Sequence, residues 1–218
     1  MPGHDRSDAE FQALHQALWR LIGETPDKIG RQIVAQPGFV PVEDGYSDGR
    51  PGDDFPVLRH LDGVLNIARG HGFQDIADAF AAVSDRLPWS QNPRYTREGG
   101  QGDLLDGYAY ASLSGPEGPI RCMAPRGGFY LMGPGVHYPA HNHAPREIYL
   151  MMTPGVEWSL DEGAWFPVNA GEMIYHAPWQ MHAMRSGAAP ALAYVAWLEP
   201  GSRLDIGWGD KGGGRDGV

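Results

Sequence analysis

The chain has 218 residues, of which 42% are hydrophobic, so it is long enough to bury a sizeable core in one domain or in a domain with an extension. Its formal net charge of −10 argues against a nucleic-acid partner, because binding to phosphates needs clustered Lys and Arg. A single cysteine, Cys122, excludes an internal disulfide.

No targeting or membrane-spanning segment is predicted. The N-terminus lacks a basic stretch followed by an apolar stretch, so no signal peptide is expected. The longest apolar run, Ala191–Leu198, is far shorter than the ~20 residues that cross a bilayer. We therefore expect a cytoplasmic protein with no membrane contact and a small-molecule substrate.

The first part of the chain has the periodicity of helices. Ser7 and Glu10 form a capping-box pattern, and apolar residues follow at helical spacing, namely Phe11, Leu14, Leu18, Leu21 and Ile22. Thr25–Pro26 is a second helix start, and a polar loop is predicted over Glu43–Asp54. Two further helical patterns cover Val57–Arg69 and Gln74–Leu87. These helices can pack against the rest of the chain or against a second subunit, which would make a homodimer.

From about Leu104 the pattern changes to short apolar runs separated by Gly and Pro, which is typical of β structure. Many short strands separated by turns favour a sandwich or a jelly-roll barrel. We therefore predict a helical extension over residues 1–103 and a barrel over residues 104–218. The predicted strands are Tyr108–Leu113, Gly128–Met132, Glu147–Met152, Val156–Leu160, Glu172–Tyr175 and Ala191–Leu198.

A group of metal-ligand residue types lies in the middle of this second half. His141, His143, Glu147 and Tyr149 all have odd numbers, so a continuous strand would point the four side chains to one face. Two imidazoles and a carboxylate on one face suit a divalent first-row metal. A further imidazole, His182, follows later in the chain.

The spacing of these residues resembles the two motifs of the cupin family. The first motif is matched with one extra residue before its last glycine, by Gly135, His141, His143, Glu147 and Gly155. The second is matched by Gly171, Pro178 and His182, with Gln180 in place of the usual glycine. The resemblance implies a mainly β cupin jelly roll, here with an N-terminal helical extension. It also implies one bound divalent transition metal, which is Fe, Mn, Zn, Ni or Co.

The run HYPAHNHAPREIY, together with Trp197, also resembles a narrower group, the cupin-type dimethylsulfoniopropionate lyases. This resemblance implies that His141, His143, Glu147 and His182 bind the metal. It implies that Tyr149 is the general base, and it gives roles near the substrate to Tyr138 and Trp197. The barrel part of the resemblance covers about Gly128 to Pro200, and the first hundred residues match in character only.

The reaction implied is elimination of dimethyl sulfide from dimethylsulfoniopropionate, which leaves acrylate. A metal that neutralises the substrate carboxylate would make the adjacent proton easier to remove, and a nearby cation would lower the pKa of the Tyr149 phenol. Aromatic faces can hold the sulfonium by cation–π attraction. The preferred candidates for an aromatic wall around the sulfonium are Trp197, Tyr138 and Trp179, and Trp158 and Tyr194 are also available.

Two other functions stay open at this point. A cupin dioxygenase or isomerase could act on another small carboxylate with the same metal and no tyrosine base. A metal-containing cupin could instead bind a small ligand without catalysis. Release of dimethyl sulfide would distinguish the lyase from both, and oxygen consumption would indicate the dioxygenase.

Overall fold

In a computed structural model, residues 4–24, 40–41, 54–198 and 206–207 are described. The helix start at Thr25–Pro26 and nearly all of the Glu43–Asp54 loop lie outside these ranges. The helices are α1 His4–Glu24, a 3₁₀ turn Pro56–His60, α2 Leu61–Gly70, α3 Gln74–Ala81 and α4 Gly102–Gly107. The strands are β1 Val40–Pro41, β2 Trp89–Ser90, β3 Tyr108–Ser114, β4 Cys122–Ala124, β5 Arg126–Met132, β6 His137–His143, β7 Glu147–Met151, β8 Val156–Leu160, β9 Phe166–Val168, β10 Met173–His176, β11 His182–Ser186, β12 Ala191–Trp197 and β13 Ile206–Gly207.

The helices follow the predicted apolar spacing, with differences at their ends. Helix α1 begins at His4, before the predicted cap at Ser7. Helix α3 ends at Ala81 rather than Leu87, because the chain continues in tight turns whose N–H groups bond three residues back. The following Pro88 also disfavours helix at the residue before it. None of the described helices combines the length and apolar character needed to cross a membrane.

Most of the described strands form two antiparallel sheets that face each other, and β1 and β4 pair in a separate two-stranded sheet. The six-stranded sheet has the order β10-β7-β12-β5-β3-β2, and the five-stranded sheet has the order β13-β6-β11-β8-β9. This arrangement is the predicted cupin jelly roll, and the fold class is confirmed. The division expected near residue 103 falls within α4, and β2 of the larger sheet lies before it.

Two apolar clusters fill the molecule. The outer cluster lies between the helices and the outer face of the six-stranded sheet, and within it the rings of Phe80 and Phe129 stack with centroids 3.7 Å apart. The inner cluster fills the space between the sheets, and it is rich in tyrosine. The alternation of side chains along a strand explains this division, since Ile148 and Leu150 belong to the outer cluster and Tyr149 and Met151 to the inner one.

Strand β6 is irregular at Pro139, which removes a donor from the sheet. His141 pairs with His182 of β11 and Tyr138 pairs with Met184, so Pro139 and Ala140 lie opposite one residue, Ala183. This is a β-bulge, a feature in which Pro is tolerated. Because the bulge shifts the alternation, both Tyr138 and His141 are buried although one has an even number and the other an odd one.

One continuous strand from His141 to Tyr149, which was the condition for placing the four side chains on one face, does not form. A bend at residues 144–146 separates β6 from β7, and these two strands belong to different sheets. His141 and His143 lie on the five-stranded sheet, and Glu147 lies on the six-stranded sheet. The side chains still converge, because the inner faces of the two sheets look toward each other.

Candidate metal centre and cavity

Three histidines on β6 and β11 are oriented in the same way. The Nδ1 atoms of His141, His143 and His182 lie 3.0, 2.9 and 2.9 Å from the backbone carbonyl oxygens of Pro139, Pro145 and Gln180. A carbonyl accepts only, so each Nδ1 carries a proton, and each Nε2 has a lone pair when the ring is neutral. Such a bond on the second ring nitrogen is the usual support of a metal-binding histidine.

Glu147 lies at the centre of a cluster of polar side chains and contacts each of its neighbours through a carboxylate oxygen. Its Oε1 accepts a hydrogen bond of 2.8 Å from Nε1 of Trp197. Its Oε2 lies 2.8 Å from Nδ1 of His176, 3.1 Å from Nε2 of His143 and 3.4 Å from Nε2 of His182. Burial opposes ionisation of this carboxyl, but the charge and hydrogen bond of His143 hold the pKa of Glu147 well below its usual range.

Proximity alone would select a group that differs from the predicted ligands by one residue. Among the described residues, donor atoms of His143, Glu147, His176 and His182 all lie within 4.8 Å of one another. His141 is outside this group, although its ring centroid is 4.1 Å from that of His182. His176 is completely buried, and burial lowers its pKa to about 4, so its ring is neutral at neutral pH.

The residues fit a divalent transition metal. Nε2 of His182 is buried and makes no hydrogen bond within the described part of the chain, since its nearest carboxylate oxygen, Oε2 of Glu147, is 3.4 Å away. A buried polar atom in this state is costly unless it has a ligand to bind. Burial also holds the pKa of His141 well below its usual value, so that imidazole is neutral. His143 differs, because the charge and hydrogen bond of Glu147 outweigh its burial and raise its pKa, so a bound ion would replace the proton on its Nε2. Imidazoles that offer Nε2, together with one ionised carboxylate, are donors that suit first-row divalent ions.

A cavity of about 190 Å³ opens beside this cluster. Its walls are rich in aromatic side chains and include the tyrosines Tyr108, Tyr110, Tyr130, Tyr138 and Tyr149. His141, His143, Glu147 and Trp197 also line it. The charged pair Arg126 and Glu117 contributes to the wall, with 3.1 Å between the guanidinium nitrogen and the carboxylate oxygen. The cavity is thus small, rich in aromatic side chains and adjacent to the polar cluster.

The tyrosines of the cavity contact each other through their rings. Tyr138 makes edge contacts with Tyr95, Tyr108 and Tyr130 at centroid distances of 5.3, 5.1 and 5.8 Å. Tyr149 contacts Trp158 at 5.0 Å. Burial raises the pKa of both Tyr138 and Tyr149 well above the usual value, and for Tyr149 the Glu147 carboxylate adds to the rise.

Most of the predicted site residues meet at this cavity, and some do not. Trp179 is 55% exposed with a φ of +61°, and it does not line the cavity; its backbone N–H bonds the carbonyl of His143 at 2.8 Å. Trp158 is buried behind the wall. Tyr194 belongs to the outer cluster.

Sequence reasoning left His176 without a role, although the structure places it against Glu147. Pairing between β10 and β7 puts His176 of β10 directly opposite Glu147 of β7. Tyr108, Tyr110, Tyr130 and Arg126 were also missed as cavity residues. The signal that could have found them is the cross-strand register of β3, β5 and β7, which the sequence by itself does not supply.

Comparison with known proteins places this site in a family. A family model described as dimethylsulfoniopropionate lyase matches residues 42–193. A candidate dimethylsulfoniopropionate lyase, DddL of Cereibacter sphaeroides, is 32% identical over 158 residues, which cover 72% of this chain and 65% of that protein. The match therefore spans just under two thirds of that relative. The dimethylsulfoniopropionate lyase DddQ of Ruegeria pomeroyi is 27% identical over 191 residues, or 87% of this chain and 86% of that one.

Solved structures share the fold. The crystal structure of DddQ from Ruegeria pomeroyi superposes with a TM-score of 0.70 at 23% identity, covering 88% of this chain and 92% of the other. A second structure, from work on the lyases RdDddP and RnDddQII, gives a TM-score of 0.69 at 23% identity and covers 91% and 95%. At this identity the superpositions establish a common architecture, which includes the barrel and most of the helical part.

Proposed function

This chain belongs to the dimethylsulfoniopropionate lyase family, and on that premise we propose that it cleaves dimethylsulfoniopropionate to dimethyl sulfide and acrylate with one divalent transition metal. The observation that carries the proposal is the convergence of three Nε2-presenting histidines and Glu147 beside Tyr149 in an aromatic cavity. The cavity of about 190 Å³ is smaller than the ~300–1,000 Å³ of drug-sized sites, which suits a small substrate.

The metal would be held by Nε2 of His141, His143 and His182 and by the carboxylate of Glu147. When bound, such an ion supplies Lewis-acid stabilisation of the negative charge that develops on the substrate carboxylate. His176 is left out of this ligand set, because neither of its ring nitrogens keeps a free lone pair.

Tyr149 is proposed as the general base. It follows Glu147 by two residues on β7, faces the cavity and is almost fully buried. Its Oη would take the proton from the carbon next to the substrate carboxylate. The electrons of that C–H bond form the new C=C bond, and the C–S pair leaves with dimethyl sulfide. The phenol then returns the proton to solvent.

The protein groups by themselves do not favour the base form of Tyr149. Burial and the Glu147 carboxylate raise the pKa of this phenol, whereas the sequence argument expected a lower pKa near a cation. The phenolate therefore depends on positive charge at the site. Tyr138 is the alternative base, and the pKa of its phenol is raised by burial as well.

Trp197 and Tyr138 are proposed to hold the sulfonium end of the substrate. Both line the cavity, and the Trp197 ring lies 4.8 Å from His143. The Arg126 guanidinium already lies 5.6 Å from the Trp197 ring. Because two cations repel, the ring face left for the sulfonium is the one away from Arg126. Trp179 stays a weaker candidate, since it is exposed.

Purified protein loaded in turn with Fe²⁺, Mn²⁺, Zn²⁺, Ni²⁺ or Co²⁺ would test the function. We expect dimethyl sulfide in the headspace and acrylate in solution in equal amounts. His182→Ala is the control, and it should lose both metal and product. A folded, metal-loaded protein that releases no dimethyl sulfide with any of these ions would contradict the proposal, and oxygen uptake would then favour the dioxygenase alternative.

A further inference from the structure

A chain of hydrogen bonds reaches Glu147 from the opposite sheet. The indole N–H of Trp158 on β8 donates to Nε2 of His176 on β10 at 2.9 Å. Nδ1 of His176 then lies 2.8 Å from Oε2 of Glu147. Trp158 belongs to the five-stranded sheet, and His176 and Glu147 belong to the six-stranded sheet, so the chain joins the two walls of the barrel.

The donor and acceptor roles along this chain are determined by chemistry. An indole nitrogen can only donate, so Nε2 of His176 must accept. In the neutral ring the proton is then on Nδ1, which donates to the carboxylate. Both ring nitrogens are therefore engaged, and no lone pair is left for a metal.

This arrangement distinguishes His176 from the other three histidines. His141, His143 and His182 each bond a backbone carbonyl through Nδ1 and present Nε2 to the site. His176 instead points its protonated Nδ1 at the carboxylate of Glu147 and accepts from Trp158 at Nε2. Its ring stacks on that of His182, with centroids 3.7 Å apart and planes 19° apart.

We propose that His176 is a positioning residue of the metal site and not a ligand, and that Trp158 sets its tautomer. The pair orients Oε2 of Glu147, and the Trp197 indole orients Oε1. His176 also supports the plane of the His182 ring by stacking. The inference rests on the proposed metal site, but it does not depend on the identity of the substrate.

The proposal predicts a graded loss of metal affinity. Removing a group that orients a metal ligand typically costs 10- to 100-fold in affinity. His176→Leu should therefore weaken Co²⁺ binding by about 10- to 100-fold. His176→Asn keeps an N–H at the position of Nδ1 and should recover most of that loss. Trp158→Phe keeps the His176 ring but no longer fixes its tautomer. The loss of Co²⁺ affinity in this variant should therefore be smaller than in His176→Leu.

The experiment measures Co²⁺ affinity and the visible Co²⁺ spectrum of the full chain after removal of metal with a chelator. Circular dichroism checks that each variant folds. His182→Ala provides the spectrum of a protein that has lost a ligand. Trp89→Phe is the matched control, because it removes a buried indole hydrogen bond of 2.8 Å to the Ser84 carbonyl from a residue of the outer cluster. This control should lower the unfolding temperature without changing Co²⁺ affinity.

Two results would overturn the inference. If His176→Asn lost Co²⁺ and changed its spectrum as His182→Ala does, His176 would be a ligand. If His176→Leu and Trp158→Phe both bound Co²⁺ with the affinity and spectrum of the parent, the hydrogen-bonded chain would have no positioning role. Should His176→Leu fail to fold, the other two variants decide between these readings.

The failure of the proposed function gives a different pattern. If the parent protein bound no Co²⁺, the proposed metal site would be wrong, and so would the positioning role of His176. A parent that binds Co²⁺ but releases no dimethyl sulfide would contradict the lyase activity while the affinity series still tests His176.

Discussion

The two faces of the six-stranded sheet have opposite characters, although the same strands build both. The outer face is apolar and packs against the helices, and its residues include Phe129, Leu131, Ile148, Leu150, Leu192 and Ala196. The inner face carries Glu147, Tyr149 and Trp197 next to one another on adjacent strands. Neighbours in the sequence thus pack in an apolar cluster on one side and line the candidate site on the other.

The difference between the two faces of the sheet shows where the fold tolerates buried polar groups. A buried carboxylate is costly unless its oxygens are hydrogen-bonded. On the inner face Glu147 is only 4% exposed, but the indole of Trp197 and three imidazoles lie around its oxygens. The outer face needs no such network, since its stability comes from apolar contact. Changes on the inner face should therefore affect catalysis, and changes on the outer face should affect stability.

The largest effect is expected at Tyr149. Tyr149→Phe keeps the ring and removes the hydroxyl, so elimination should fall by ~10²–10⁴-fold if the phenol is the general base. Headspace dimethyl sulfide and elemental analysis measure turnover and metal content. Tyr194→Phe, which removes an outer-face hydroxyl on the adjacent strand, should leave turnover unchanged.

Near-parental turnover of Tyr149→Phe would move the role of base to Tyr138. Loss of metal from the same variant would show that the phenol is a ligand. Exchange of the substrate α-hydrogen with deuterium, if the parent catalyses it, should stop in the variant.

On the outer face, Phe129→Ala should lower the free energy of unfolding by about 3–5 kcal/mol, because it removes a completely buried ring that stacks on Phe80. Below the unfolding temperature the turnover per folded molecule should stay near that of the parent. Chemical denaturation and initial rates give the two quantities. A large loss of turnover in fully folded protein would mean that the two faces are coupled.

His15 of α1 should make the helical layer sensitive to acid. Burial lowers the pKa of His15 to about 4, whereas the unfolded value is about 6.5. Above pH 6.5 the ring is neutral in both states. As the pH falls toward 4 only the unfolded state gains the proton, so the free energy of unfolding should decrease by about 3 kcal/mol in total.

The His15→Leu variant isolates this effect. The difference between parent and variant stabilities, measured by denaturation from pH 7 to pH 4, should change by that amount in favour of the variant. A difference that does not vary with pH would show that His15 titrates normally in the folded protein.

The smallest effect is expected at Trp197. Cation–π attraction of about 1–2 kcal/mol corresponds to a KM increase of about 5- to 30-fold in Trp197→Ala. Trp197→Phe keeps a ring face but loses the N–H that bonds Glu147, so its KM should rise less. Steady-state kinetics and metal analysis of both variants separate the cation–π role of the Trp197 ring from the hydrogen bond of its N–H to Glu147. Equal increases of KM would assign the effect to the hydrogen bond.

Five strands of the six-stranded sheet could be predicted because alternation and turn residues are local properties, whereas β8 is the one strand of the five-stranded sheet that was predicted. Strands β7 and β8 begin at the predicted residues, Glu147 and Val156. The end of α3 was missed because it depends on turns before Pro88 and on the indole of Trp89, which bonds the carbonyl of Ser84. Such contacts are not visible in periodicity.

The candidate site divides in the same way. The sequence alone indicated a set of candidate metal ligands, since imidazole and carboxylate chemistry at that spacing is a property of residue types. The tertiary structure decided how they meet, because a bend places His143 and Glu147 on different sheets and a bulge turns Tyr138 inward. It also placed His176 opposite Glu147 and left Trp179 exposed. These outcomes depend on which strands pair and in what register, and that is fixed by contacts between residues far apart in the chain.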